Sequence, residues 1–391
     1  MPDDRFQQRA RALLDELKQT GQTKRFSYLT GPMGPTAVVE GVGEVVVLCS
    51  NNYLGLADHP EVISAGVDGL RQYGAGTASV RFICGTLVCH REIEETIARF
   101  VGTQRALTYV SCWNANEALF PTLTAPGDVI LSDALNHASI IDSCRLVNRQ
   151  VEREVYPHSD MDQLESLLKK HADKECRWVV TDGVFSMEGD VARLPEMVEL
   201  CRRHDALLVV DDSHGIGALG RTGRGTPEHF DLFGQIDMLT GTLGKALGGA
   251  AGGYVAASAA AIEMLEQRSR PSLFSNALPA TVACSARKAI EIIDREPERV
   301  ARLRQNVAAI RQGLEKLGYQ CTPSPTAIIP IMIGDEAEAL AKGNRLLELG
   351  VMVVGFAFPV VPKGEARLRV QVSAALDATH IERALDAFAR L

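Results

Sequence analysis

The chain has 391 residues, 46% of them hydrophobic and 23% charged, and a net charge of −8 at neutral pH. Such a length allows two domains, or one large domain with an appendage, and the composition supports an ordinary folded core. The negative charge argues against nucleic-acid binding as the main task, and the start Met1-Pro2-Asp3-Asp4-Arg5 is too charged for a signal peptide. The longest weakly polar run, 248–262, holds too few large apolar residues to span a membrane. Nine cysteines stand singly with no CxxC pair, which predicts free thiols in a reducing cytoplasm.

Residues 3–19 predict an amphipathic helix, capped by Asp3 or Asp4, with Phe6, Ala10, Leu13, Leu14 and Leu17 on one face. A leading helix of this kind has no core of its own, so it is expected to pack on another part of the protein or on a partner subunit. Two strands follow within 37–48, then a polar knot at 49–55 whose Ser50, Asn51 and Asn52 suit tight turns. Helix signals cover 60–73 and 90–101. Apolar, β-branched runs then recur at 106–110, 128–131, 151–156, 178–181, 206–210, 238–240 and 253–256, mostly separated by helix-length segments. That alternation predicts an α/β fold with a mainly parallel sheet and helices on both faces. From about 283 the pattern changes. A long helical stretch over 281–318 breaks near Pro297, and strands at 327–333, 351–356 and 367–372 alternate with helices at 335–349 and 378–390. This is a smaller α+β unit, and the expected division is 1–50, 51–282 and 283–391.

Ligands in such sheets bind at the carboxyl ends of the strands. The chemically loaded residues sit at those ends. Ser111, Cys112, Trp113 and Asn116 follow one strand, and Ser132, Asp133, Asn136, His137 and Ser139 follow the next. Asp182 and Ser186 follow the run at 178, Asp211, Asp212, Ser213 and His214 the run at 206, and Lys245 the run at 238. Each cluster alone is also an ordinary helix cap. Five on one edge indicate a site.

Lys245 lies in a stretch with glycines at 241, 244, 248, 249, 252 and 253. It is either a solvated lysine on a turn or a nucleophile kept partly unprotonated by its surroundings. A phosphate loop fails on spacing, since Gly241 and Gly244 are too close and Ala246 replaces the required Ser or Thr. Gly215, Gly217 and Gly220 match GxGxxG after a strand, but the following 221–227 is a poor helix, against a dinucleotide site. Asp211 and His214 suit a metal, or a helix start. A third role pairs with Lys245: a carboxylate at the end of a buried strand can hold a pyridinium nitrogen protonated, as pyridoxal phosphate requires beside its Schiff-base lysine. The helix after Trp113 offers N–H groups for the phosphate.

From about residue 49 to 375 the chain resembles the α-oxoamine synthases, fold type I pyridoxal-phosphate enzymes that join an amino acid to an acyl-CoA. The resemblance is carried by 51–56, 78–86, 132–142, 181–189, 210–214, 240–254, 268–276 and 358–364. The runs at 78–86, 268–276 and 358–364 point to the branch that joins glycine and acetyl-CoA into 2-amino-3-oxobutanoate and CoA, with the reverse cleavage as the expected direction after threonine oxidation. The resemblance implies a seven-stranded sheet and a homodimer. It implies Lys245 as Schiff-base lysine and α-proton carrier, Asp211 on the pyridine nitrogen and His137 stacked on the ring. It places His214 and Ser186 near the phenolic oxygen. Cys112, Trp113 and Thr242 fall by the phosphate, with Ser275 and Asn276 completing that site across the dimer interface. Asn51, His137 and Arg369 face the substrate, where Arg369 grips a carboxylate; read from its strand alone, Arg369 is an exposed arginine. Trp113, Asn114, Glu117, Ser272 and Leu376 depart from the family pattern, which leaves the acyl group less determined than the reaction type. A longer acyl-CoA, a metal-dependent enzyme using Asp211, Asp212, His214 and His137, and a catalytically silent binding protein are the competing readings.

Overall fold

The structure is a computed structural model and describes residues 4–20, 23, 26–358 and 360–391. The expected cap Asp3, and Pro359 in the 358–364 run, lie outside the described residues. The chain opens on helix α1 (Asp4–Gln19) and the hairpin of β1 (Thr36–Val39) and β2 (Gly43–Val47). Helices α2 (Pro60–Tyr73) and α3 (Val88–Val101) follow, with a π-helical turn between them at Arg81–Gly85 that the sequence pattern does not predict. Then come β3 (Arg105–Tyr109), α4 (Cys112–Leu123), β4 (Val129–Asp133), α5 (Ala138–Arg145), β5 (Glu152–Tyr156) and α6 (Met161–Lys170). The alternation continues through β6 (Arg177–Asp182), α7 (Leu194–Arg203), β7 (Leu207–Asp211), α8 (Thr226–His229), β8 (Met238–Thr242) and β9 (Gly253–Ala257). Four helices, α9 (Ala259–Arg268), α10 (Arg270–Phe274), α11 (Ala280–Arg295) and α12 (Glu298–Lys316), lead to the last unit. That unit contains β10 (Ile328–Gly334), α13 (Glu336–Glu348), β11 (Val351–Met352), β12 (Val354–Phe356), β13 (Ala366–Gln371) and α14 (Ala378–Ala389).

The seven predicted runs form one seven-stranded sheet, in the order β3-β9-β8-β7-β6-β4-β5. Six strands run parallel, and β9 alone is antiparallel to both neighbours. Residues along each strand feed two cores in turn. Val179 and Val210 pack into one, while Val180 and Val209 pack into the other. Both faces are covered, which explains why the strands read as continuous apolar runs without polar alternation. Each fully buried valine or leucine contributes roughly 1.5–3 kcal/mol.

Two small sheets lie beside the large one. In the first, β11 joins β2 in parallel, so the early hairpin is completed by a strand from about 300 residues further on. The other has the order β10-β13-β12. The expected strand at 351–356 is therefore split between two sheets. The end of β13 is stitched to the polar knot, with Gln371 N donating to Leu48 O at 2.8 Å and Ala374 N to Tyr53 O at 2.7 Å. That seam carries residues 49–53 to the edge of the large sheet.

No residue of α1 is buried, and Phe6, Leu13 and Leu14 are more than half exposed. Of the two expected packings, on the rest of the chain or on a partner subunit, the first does not bury this face among the described residues. Among the described residues, no helix is long and apolar enough to cross a membrane.

Candidate active site

Five parallel strands deliver their ends to one edge. Asp182 and Asp211 are register partners on β6 and β7, and Asp211 is level with Thr240 on β8. The antiparallel β9 enters at this edge through Gly253, opposite Tyr109 and Thr242. A Cβ on Gly253 would lie 2.3 Å from both N and Cα of Cys112. Only glycine lets the first turn of α4 rest on the sheet here. Ser111 caps that helix, accepting from Asn114 N at 3.1 Å. The remaining first-turn N–H groups have no partner within the helix.

Asp211 is buried at the centre of a polar network. Its Oδ2 accepts from Asn116 Nδ2 at 2.6 Å and faces the Cys112 thiol at 3.6 Å, while Oδ1 accepts from Ser213 N at 3.0 Å. Burial pushes the Asp211 pKa up, but the bonds from Ser213 and Asn116 and the charges of Lys245 and His137 outweigh it, so the carboxyl lies below its usual value. Asp211 is therefore an anion. Burial, then the charge of Asp211, push the Cys112 thiol well above its usual value, so it stays protonated. Asn116 also donates to Ser139 Oγ at 2.9 Å, and Ser139 Oγ lies 2.8 Å from Nδ1 of His137. Ser139 N donates to the same Nδ1 at 3.2 Å, which leaves Nδ1 unprotonated. Burial lowers the His137 pKa further, with Asp211 opposing. The His137 backbone N–H is held by Asp182 Oδ2 at 2.7 Å. His137 keeps one side open to solvent, and its ring meets Trp113 edge-on with centroids 6.2 Å apart.

Lys245 follows β8 and is partly buried. Burial holds its pKa below the usual lysine value, with Asp211, Cys112 and Asp182 opposing and Arg369 assisting. Its amine has no hydrogen-bond or ion-pair partner among the described residues. Thr242 Oγ1 accepts from Gly244 N at 3.1 Å and so shapes the turn that carries the lysine.

The second wall comes from the small sheet. Arg369 Nη1 donates to Ser186 O at 2.9 Å, Nη2 donates to Gln371 Oε1 at 3.2 Å, and the guanidinium lies over Phe356 at 4.5 Å. Its Nε is buried without an acceptor. Gln371 Nε2 reaches Asn51 Oδ1 at 2.6 Å and Tyr53 Oη at 2.9 Å, and Tyr53 Oη lies 2.7 Å from His214 Nδ1. Burial, then Lys245 and Arg369, lower the His214 pKa well below its usual value. Arg369 is thus drawn into the site rather than exposed, because β13 turns Arg367, Arg369 and Gln371 to one face and Leu368 and Val370 to the core.

The expected site residues separate into three groups. Asp211, His137, Lys245, His214, Cys112, Trp113, Thr242, Ser186, Asn51 and Arg369 gather at this edge. Ser275 and Asn276 stand apart: Asn276 bridges Val80, and neither bonds to the Asp211 network among the described residues. Asp212 points away from His214. Its carboxylate accepts from Thr226 N at 2.9 Å and Thr226 Oγ1 at 2.8 Å, and its pKa is pushed up to about 7 by burial. Gly183, Gly215 and Gly225 crowd it so closely that a Cβ on any of them would meet a carboxylate oxygen within 2.6 Å. The GxGxxG pattern thus begins with a glycine that wraps an internal aspartate. Asp211, Asp212 and His214 form no metal-ligand cluster among the described residues. The group that does, Glu152, Glu154 and His171, is ion-paired to Lys174 and Lys170.

Sequence reasoning placed Asn116 and Ser139 at the strand ends without giving them a role, and it missed Gln371 and Tyr53. Two signals were available: Asn116 falls one helical turn after Cys112, and Gln371 two residues after Arg369 on a strand. A buried anion, a lysine amine without a partner and a helix start form a donor set that fits a pyridinium ring bearing an aldehyde and a phosphate.

A family profile described as aminotransferase class I and II matches residues 43–388. The chain is 44% identical to the 2-amino-3-ketobutyrate coenzyme A ligase of Escherichia coli K12 over 380 residues, 97% of this chain and 95% of that protein. It is equally 44% identical to the 8-amino-7-oxononanoate synthase of Symbiobacterium thermophilum over 379 residues, 97% and 96% of the two. In structure it is similar to the serine palmitoyltransferase of S. paucimobilis, solved with a bound PLP–myriocin aldimine, with TM-score 0.91, 30% identity and coverage of 100% and 97%. The chain belongs to the aminotransferase class I and II family and, within it, to the α-oxoamine synthases, the fold type I, pyridoxal-phosphate-dependent acyltransferases that condense an amino acid with an acyl-CoA.

Proposed function

We propose that the chain condenses glycine with acetyl-CoA to give 2-amino-3-oxobutanoate and CoA, and catalyses the reverse cleavage, as a glycine C-acetyltransferase. The observation that carries an amino-acid substrate is the buried Nε of Arg369, a cationic donor without an acceptor on the wall of the Lys245 and Asp211 edge. A substrate carboxylate supplies that acceptor. What supports glycine and acetyl-CoA is the resemblance in 78–86, 268–276 and 358–364, together with the similarity to the Escherichia coli ligase.

In this reading Lys245 would hold pyridoxal phosphate through its amine, and the Asp211 carboxylate would pair with the ring nitrogen. His137 would cover a face of the ring, with Trp113 edge-on beside it. The first turn of α4 and Thr242 would hold the phosphate, with Ser275 and Asn276 supplied across a dimer interface. Bound there, the cofactor supplies an electron sink for the carbanion at the substrate α-carbon. Released when the substrate amine takes its place, Lys245, its pKa lowered by burial, would remove the α-proton. The network from Asn116 to Asp211 keeps that carboxylate anionic. Asn51 and Arg369 would orient the substrate, and His214 and Ser186 would offer donors to the phenolic oxygen. A homodimer is supported by the apolar surface left open at α1 and at Phe82, Ile83 and Phe274, which are 65%, 68% and 71% exposed. Nine free thiols suit a cytoplasmic location.

A panel of acyl-CoAs against glycine, alanine and serine, scored by thiol release, tests the reading. Acetyl-CoA with glycine is the expected preference. Preference for pimeloyl-CoA with alanine would replace it by the second reading, an 8-amino-7-oxononanoate synthase, which the 44% identity to the Symbiobacterium protein favours as much.

A further inference from the structure

Every nitrogen of Arg369 is a donor and none is an acceptor. It therefore decides which way round the buried Gln371 carboxamide sits. Arg369 Nη2 lies 3.2 Å from Gln371 Oε1, and the reversed amide would set NH2 against guanidinium. With Oε1 committed, the two hydrogens of Gln371 Nε2 go to Asn51 Oδ1 at 2.6 Å and Tyr53 Oη at 2.9 Å. Tyr53 Oη accepts there, so it turns its own hydrogen to Nδ1 of His214, 2.7 Å away. The two rings also meet edge-on, with centroids 6.1 Å apart at 64°. Nδ1 then carries a lone pair, and a neutral imidazole keeps its single proton on Nε2.

We propose that Arg369, acting through Gln371 and Tyr53, sets His214 in the Nε2–H tautomer and so fixes it as a hydrogen-bond donor toward the reacting groups beside Lys245. Gln371 and Tyr53 are positioning residues. Both are buried, and no water is needed to complete the chain of bonds. Burial pushes the Tyr53 hydroxyl up to about 12, which keeps it a donor through the neutral range. The relay ties the carboxylate-binding arginine to the histidine donor, so one cation orients both walls of the site. This inference rests on the reading that Arg369 and His214 face substrate and cofactor.

Gln371→Glu provides the test. A carboxylate at 371 accepts from both Arg369 and Tyr53. Tyr53 then points its hydrogen at residue 371 and accepts from His214, which must carry its proton on Nδ1. The measurement is nitrogen NMR of [15N]histidine-labelled holoenzyme, with the His214 signals identified by their loss in His214→Asn. Expected are protonated Nε2 and bare Nδ1 in the wild type, and the reverse in Gln371→Glu. Neutralising Arg369 in the same variant raises KM for the amino acid about tenfold or more while KM for acyl-CoA stays unchanged. A wild-type His214 protonated on Nδ1, or a tautomer unmoved by Gln371→Glu, overturns the proposal. If Gln371→Glu does not fold, Tyr53→Phe decides: the single tautomer must give way to a mixture, and an unchanged spectrum counts against the relay. The tautomer is read without turnover. Absence of thiol release with every acyl-CoA would therefore remove the proposed reaction and leave the relay standing.

Discussion

Gly253→Ala tests whether the contact between β9 and α4 builds the site. The added Cβ would sit 2.3 Å from both N and Cα of Cys112 and 2.6 Å from the Ser111 carbonyl carbon, whereas ordinary contact begins at 3.4 Å. The obstructing atoms are backbone, so no rotamer change relieves them. Strand and helix start must part by about 1.1 Å, the difference between 3.4 and 2.3 Å. Overpacking of this kind costs roughly 1–3 kcal/mol of stability. The functional effect is larger, because a shift of about 1 Å in a positioning group lowers the rate about 10²-fold. Urea unfolding gives the first quantity, and cofactor titration by absorbance with kcat/KM for thiol release gives the second. Gly31→Ala is the control, since nothing lies within 4 Å of a Cβ there. A Gly253→Ala protein with wild-type cofactor affinity and turnover would refute the reasoning.

Lys245→Ala is expected to lower CoA-dependent turnover by about 10²–10⁴-fold or more. In the wild type, borohydride should fix the cofactor to the peptide bearing Lys245; label on another lysine would overturn its role. Thr226→Val removes the hydroxyl that donates to Asp212 Oδ1 at 2.8 Å, and the unpaired buried oxygen should cost about 1–3 kcal/mol in urea unfolding. His158 sits between Asp133 at 3.0 Å and Asp190 at 2.8 Å; burial opposes its charge, but the two carboxylates prevail and raise its pKa to about 10. Its folded-state pKa exceeds the ordinary value of about 6.5, so its contribution is complete below pH 6.5 and fades as pH rises toward 10. The stability gap between wild type and His158→Gln should therefore close from about pH 6 to pH 10, and a constant gap would contradict the assignment.

The placement of Asp211 and Lys245 was legible because both follow strands that declare themselves locally. An apolar run of five residues needs no distant partner to be recognised, and a polar cluster after it falls at the carboxyl edge. The direction of β9 was not legible, since Gly253–Ala257 reads like any buried strand and only its pairing with β3 and β8 reverses it. The metal reading grouped Asp212 with Asp211, yet alternation along the chain turns Asp212 inward to Thr226. That β11 completes the sheet of the early strands shows only in its pairing with β2.

What the sequence by itself determined was the class of fold and the chemistry at the strand ends, including the lysine in its glycine-rich turn. Only the tertiary structure decided how that lysine's surroundings are wired. Gln371 meets Asn51 across 320 positions of chain and Tyr53 meets His214 across 161. Periodicity carries no information about such pairs, because each hydrogen bond depends on two sheets docking in one register. Burial then gives those bonds their effect, setting the charge of Asp211 and the neutrality of His214.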